Sequence, residues 1–211
     1  MVDTQTQRQR IAAVLLAAGE STRMGRLKAL LPWHGTTLIQ YQVSALLEAG
    51  VSEVVVVLGY RAETLRPLVE AYPNVSVVLN LRYRTGKSSS VKAGLRHISQ
   101  DTEGILVLAV DQPRSVTVVR EVMAAHRQLG APITYPAYKG KGGHPIVFSA
   151  QLLPEMQAIR ESRAGLREVV GRHRSEVSKI EMDDPDVLLD LNRPEDYERA
   201  VAAEGSRGLL K

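Results

Sequence analysis

The segment Leu16-Ala17-Ala18-Gly19-Glu20-Ser21-Thr22-Arg23-Met24-Gly25-Arg26-Leu27-Lys28 gathers small residues, hydroxyls and cations into one short stretch. Glycine and alanine let main-chain N–H groups approach phosphate oxygens, and successive N–H groups in a turn form an anion nest. Arg23 offers a forked donor and Lys28 a point charge, so both can neutralise phosphate charge. Cradling falls to Ala18, Gly19 and Gly25, within a loop that also contains Leu16, Ala17 and Ser21. Glu20 would repel a polyphosphate if it turned inward, so it is expected to face solvent.

A second chemical centre is Asp111, which ends the apolar run Ile105 to Val110 and is followed by Gln112 and Pro113. A carboxylate at the tip of a buried strand costs desolvation free energy unless a cation pairs with it. Magnesium suits that place, because it takes one or two carboxylates plus phosphate oxygens and water, and it implies a second protein ligand elsewhere. Gly143-His144-Pro145 holds a histidine in extended backbone, presenting its ring in a fixed direction. His34, His97, His126 and His173 are expected as surface or core fillers.

Two lookalikes fail. Arg84-Thr85-Gly86-Lys87-Ser88-Ser89 is no Walker loop, because Leu81 stands where that motif needs its first glycine. Gly140-Lys141-Gly142-Gly143-His144-Pro145 breaks the dinucleotide pattern at its last position, which leaves a nicotinamide or flavin cofactor poorly supported. No cysteine is present, so disulfides, thiolate metal sites and cysteine nucleophiles are excluded.

The frame that must position these groups reads as alternating strands and helices. Ile11 to Leu16, Glu53 to Leu58, Val75 to Leu79 and Gly104 to Val110 are strand-sized apolar runs of the kind buried in parallel sheets. Leu38 to Ala49, Arg61 to Tyr72, Ser88 to His97 and Val116 to Leu129 fit helices between and after them. A strand near Ile133 to Tyr135, another at Ile146 to Phe148, helices at Leu152 to Arg160 and Gly165 to Arg172, strands at Val177 to Met182 and Val187 to Leu191, and a helix at Pro194 to Ala203 complete the pattern. Such alternation implies an α/β fold, a three-layer α/β/α doubly wound, mostly parallel sheet, whose ligands sit at the carboxyl ends of the strands.

At 211 residues, with a polar leader over residues 1–10 and a short tail over 204–211, one domain over 11–203 is expected. The net charge of +4 suits a small polyanion and is too mild to point to nucleic acid. No apolar run reaches the ~20 residues that cross a bilayer, so no membrane partner is expected and a cytoplasmic location fits.

The string Leu-Ala-Ala-Gly-x-Ser-x-Arg-Met-Gly-x-x-Lys, with Pro32 beyond it, resembles the signature loop of the MobA-like nucleotidyltransferases and is most similar to their molybdenum cofactor cytidylyltransferase branch. The likeness runs from Ile11 to Tyr197. It implies transfer of an NMP group with release of pyrophosphate, a nucleotide half over 11–113 and an acceptor half over 114–203. Arg23, Lys28 and Asp111 take the catalytic roles it implies, and the Ala17-Ala18 pair favours CTP over GTP.

In that family a Gly-x-x-x-Ser segment lies near the base and ribose, which makes Gly86, Ser88 and Ser89 nucleotide contacts, with Ser88 as a plain helix cap the alternative. Asp190-Leu191-Asn192-Arg193-Pro194 is similar to the family's Asp-Ile-Asp-Thr-Pro segment. It therefore offers Asp190 or Asn192 as the second metal ligand. Gly143, His144 and Pro145 resemble an element on the acceptor side. The acceptor implied is the molybdopterin form of molybdenum cofactor, with a molybdenum hydroxylase apoenzyme receiving the product. Sugar-phosphate or alditol-phosphate acceptors and a non-catalytic cofactor carrier are the alternatives. A phosphate monoester is already anionic near neutral pH, so the reaction calls for placement and charge rather than a strong base.

Overall fold

The computed structural model of the chain describes residues 9–208, with side chains up to Glu204; the expected leader falls almost wholly outside these residues. The strands are β1 Ile11–Ala17, β2 Pro32–Trp33, β3 Thr36–Thr37, β4 Glu53–Leu58, β5 Val75–Leu79, β6 Gly104–Ala109, β7 Ile133–Tyr138, β8 Lys141–Gly142, β9 Ile146–Ser149 and β10 Val177–Glu181. The helices are α1 Leu38–Glu48, α2 Ala62–Leu65, α3 Lys87–Leu95, α4 Val116–Leu129, α5 Leu153–Ala158, α6 Leu166–Arg172 and α7 Pro194–Gly208.

The main sheet runs β10-β7-β9-β6-β1-β4-β5, with β8 paired to β7. Only β8 and β9 run antiparallel to their neighbours in it. Every residue of β1 and β6 is buried, as expected of strands covered on both faces. One core packs α1, α4 and α7 against one face; the other packs α3, α5 and α6 against the opposite face. Helix α3 lies so close to β1 that a Cβ on Gly94 would come 2.4 Å from Val14 Cγ1. The three-layer, mostly parallel architecture is the one anticipated.

Register places the chemistry. β1 and β6 are parallel with Leu16 beside Ala109, and Val110 N donates to Leu16 O at 3.0 Å. The loop after β1 and Asp111 after β6 therefore leave the sheet side by side.

Three local expectations are corrected. Val187 to Leu191 is no strand: Asp184 accepts from Asp186 N at 2.9 Å, Pro185 opens a 3-10 turn over Pro185–Leu188, and the chain then runs outside the sheet ladders. Val187 and Leu191 are buried in the core and Leu188 and Leu189 half-buried against it, without joining the sheet. The helix expected over Arg61 to Tyr72 stops at Leu65 and gives way to a 3-10 turn at Arg66–Leu68, because Pro67 lacks the N–H a continuing helix needs. Residues 204–208, expected in a loose tail, belong to α7.

Candidate functional site

Two adjoining hollows open along the carboxyl ends of the central strands, of about 340 and about 880 Å³. Lys87, Ala109 and Asp111 line both, so the hollows meet at the tip of β6.

The smaller hollow is walled by Leu16, Ala17, Ala18, Gly19, Ser21, Arg23 and Lys28, and by Gly86 and Asp111 across from them. Ser21 turns the loop with φ 58° and accepts from Lys28 N at 3.0 Å, while Gly25 closes the next turn with φ 72°. Gly25 thus shapes the loop but does not line the hollow. Gly59, just past β4, presses on this loop: a Cβ there would lie 2.8 Å from Ala18 O and from Tyr83 Cγ. Glu20 does not simply face solvent. It accepts from Arg84 Nε at 2.7 Å and Tyr83 OH at 3.2 Å; these bonds, Arg84's foremost, lower its pKa, and the Arg84 charge stands beside its own.

Where the hollows meet, Lys28 Nζ donates to Asp111 Oδ2 at 2.8 Å and to Asn192 Oδ1 at 3.2 Å. Lys28 is only 8% exposed, so this ion pair lies in a poorly hydrated place where charge interactions are strong. Arg23 Nη2 reaches the same Asn192 oxygen at 3.4 Å. Leu191 N donates to Asp111 O at 2.8 Å, which docks the Asp190-Asn192 strap beside β6. Asp111 and Asn192 thus present two hard oxygens to one cationic position, a donor set that suits a divalent ion completed by phosphate oxygens and water. Among the described residues no group of three or more His, Cys, Asp or Glu could hold a metal. Asp190 turns instead to Gln112, whose Nε2 donates to its Oδ1 at 2.8 Å.

The larger hollow holds His144, Gly143, Asp190 and Asn192 against Ser88 and Glu161. Gly143 is needed there, because a Cβ would come 2.2 Å from Val187 O and would spoil the 3.0 Å bond from His144 N to that oxygen. Pro145 is buried, outside the lining, and its peptide bond to His144 is cis. Gln112 Oε1 accepts from Ala109 N at 3.2 Å, so its amide nitrogen faces His144 Nδ1, at 3.1 Å. Nδ1 must then be the acceptor and Nε2 carries the proton. Burial, reinforced by Arg114 and Lys87, pushes the His144 pKa down to about 3, so the ring is a neutral donor.

Several residues that organise the site were missed in the sequence. Arg114, 1% exposed, donates from Nε to His144 O at 2.8 Å, from Nη1 to Pro113 O at 2.7 Å and Leu189 O at 3.0 Å, and from Nη2 to Val187 O at 2.8 Å. Burial lowers its pKa to about 10, with Asp190 foremost among the carboxylates opposing that shift, so it stays charged at neutral pH. It ties the His144 turn to the strap that bears Asp190 and Asn192. Its only sequence signal was its place just past a buried strand tip.

Glu161 accepts from Ser88 N at 2.8 Å, so the first turn of α3 is capped from outside and not by Ser88. Ser88 lines the larger hollow, whereas Ser89 lines neither; its hydroxyl bonds Asn80, Arg82 O and Gly86 O. Ser90, overlooked, is the buried hydroxyl in the wall of the smaller hollow, and Asn80 Nδ2 donates to it at 3.0 Å.

Residues 13–177 match the family model of the MobA-like NTP transferase domain. The chain is 30% identical to the molybdenum cofactor cytidylyltransferase of Escherichia coli (strain K12), over 89% of this chain and 93% of that one. It is 34% identical to the nicotine blue oxidoreductase of Paenarthrobacter nicotinovorans, over 90% and 96%. Among solved structures, Rv0371c from Mycobacterium tuberculosis H37Rv superposes with a TM-score of 0.79 at 26% identity, over 92% and 99% of the chains. The same protein solved with manganese gives 0.73 at 26% identity, over 90% and 97%. A nucleotidyl transferase from Methanothermobacter thermautotroptrophicus gives 0.77 at 28% identity, over 90% and 95%. With the loop after β1, the Asp111 tip and the fold all in place, the chain belongs to the MobA-like NTP transferase family and is a nucleotidyltransferase.

Proposed function

We propose that the chain transfers the CMP part of CTP to the phosphate of molybdopterin-type molybdenum cofactor and releases pyrophosphate, using Mg²⁺. The observation that carries this reading is the convergence of Lys28, Asp111 and Asn192 where a small hollow meets a large one. The small hollow takes the nucleotide. The Ala17-Ala18 pair in its wall is what favours CTP over GTP, by the family resemblance. The larger hollow, at about 880 Å³, is far roomier than a short sugar or polyol phosphate requires and suits a fused-ring acceptor.

Main-chain N–H groups of Ala18 and Gly19 hold the triphosphate, and Gly25 keeps the loop turned. Asp111 and Asn192 would hold the divalent ion, with Asp190 as the alternative ligand; once bound, the ion supplies charge neutralisation at the phosphate oxygens. The acceptor phosphate is already an anion, so its oxygen attacks the α-phosphorus in line as the bond to the leaving pyrophosphate breaks. Arg23 and Lys28 stabilise the charge that grows on that leaving group. His144, fixed as a neutral Nε2–H donor, orients the acceptor and takes no proton. The product passes to a molybdenum hydroxylase apoenzyme.

The test is pyrophosphate release with CTP, GTP, ATP and UTP against molybdopterin cofactor, a hexose phosphate and an alditol phosphate. CTP with molybdopterin should be the fastest pair; a sugar or alditol phosphate in first place would overturn the acceptor. Cofactor binding with no turnover of any nucleotide would instead support a carrier. The relative named as an oxidoreductase warrants a parallel arm with reduced nicotinamide, for which no oxidation is expected.

A further inference from the structure

The larger hollow has a second charged wall. Lys179 lies on β10, three strands from β6 in the sheet order, Arg174 opens the turn before β10, and Arg167 lies on α6; all three line the hollow. Three strand spacings, about 14 Å across the sheet, separate β10 from β6. Tyr135, Ile146, Leu166 and Val170 supply apolar lining to the same hollow.

None of these three cations forms an ion pair or a side-chain hydrogen bond among the described residues, whereas Arg10, Arg66, Arg84, Arg163, Arg172 and Arg199 all pair with carboxylates. The carboxylates of the hollow are occupied. Asp111 faces Lys28, Asp190 accepts from Gln112, and Glu161 accepts from Ser88 N. Three like charges around one concavity repel each other and concentrate anions from solution.

We infer that the acceptor carries a second anionic group, on the side of the hollow away from Asp111, held by Arg167, Arg174 and Lys179. The inference rests on reading the larger hollow as the acceptor side. It narrows the acceptor to a molecule with anions at both ends of an apolar or aromatic body, and so excludes simple monophosphates.

The probes are octanediol bisphosphate, phosphorylated at both ends, and octyl phosphate, each titrated calorimetrically into the full chain. The bisphosphate should bind about tenfold more tightly than the monophosphate, because only it engages the second wall. In the Arg167→Gln/Arg174→Gln/Lys179→Gln variant that preference should vanish, while the melting temperature and the affinity for CTP with Mn²⁺ stay as in the parent. Equal binding of the two probes to the parent chain, or a preference that survives in the variant, overturns the second anion site. Turnover keeps the two claims apart. Pyrophosphate release with molybdopterin at an unchanged acceptor KM in the variant sinks the subsite and spares the proposed function. A bisphosphate preference without molybdopterin turnover does the reverse.

Discussion

The two hollows are built in opposite ways. The smaller draws most of its wall from one continuous stretch, residues 16–29, whose main chain is proposed to hold the triphosphate and whose position is fixed by β1 beside β6. The larger is assembled from side chains on seven or more separate segments between Lys87 and Asn192, tied together by Arg114 and Gln112. A site made of backbone survives many side-chain changes and keeps one task. A site made of scattered side chains can be refitted piece by piece, and relatives of similar identity carry names as different as cytidylyltransferase and oxidoreductase.

That contrast can be broken or sharpened by substitution. Asp111→Asn should cut kcat by about a thousandfold with the melting temperature held within a few degrees, since a hard oxygen and its charge are lost where phosphate charge develops. Lys28→Met, measured by the same pyrophosphate assay, should lose about a hundredfold, mostly in kcat. Either residue behaving as a pure binding group, with only KM affected, would blur the division of labour between the hollows. His144→Ala belongs to the other hollow: the acceptor KM should rise about tenfold while the KM for CTP stays within about twofold. Ser89→Ala should leave both KM values within about twofold of the parent, as its hydroxyl faces its own turn.

A smaller effect concerns stability. His126, which pairs with Thr134 at 2.9 Å behind the sheet, has its pKa lowered by burial to about 4, and His144 is held at about 3, both from an ordinary 6.5. The unfolded chain therefore takes up these protons first as pH falls. Stability present above pH ~6.5 is lost progressively towards pH 4 and below. Melting curves from pH 7 to pH 4 should show that slope, and His126→Asn should flatten it without altering turnover at neutral pH.

The sequence was most readable where local pattern and global role coincide. The unbroken apolar runs of β1 and β6, the helix Val116–Leu129 closed by Gly130 in the left-handed region, and the loop from Leu16 to Lys28 each carry their own signal. It was least readable where tertiary contacts decide. Val187, Leu189 and Leu191 alternate like a strand, but Arg114 takes the carbonyls of Val187 and Leu189 and the sheet does not. Ser89 and Ser90 differ by one residue, and only the phase of α3, rotating by about 100° per residue, determines which hydroxyl reaches the smaller hollow. The cationic wall of Arg167, Arg174 and Lys179 had no sequence signal at all, because a helix, a turn and an edge strand bring it together.

The central claim is that Asp111 and the triphosphate share one divalent ion at the junction of the hollows. Electron paramagnetic resonance of Mn²⁺ titrated into the chain with and without CTP tests it directly. Tight Mn²⁺ binding that requires CTP and is lost in Asp111→Asn is the predicted result; an Asp111→Asn chain that binds Mn²⁺ with CTP as tightly as the parent would contradict it.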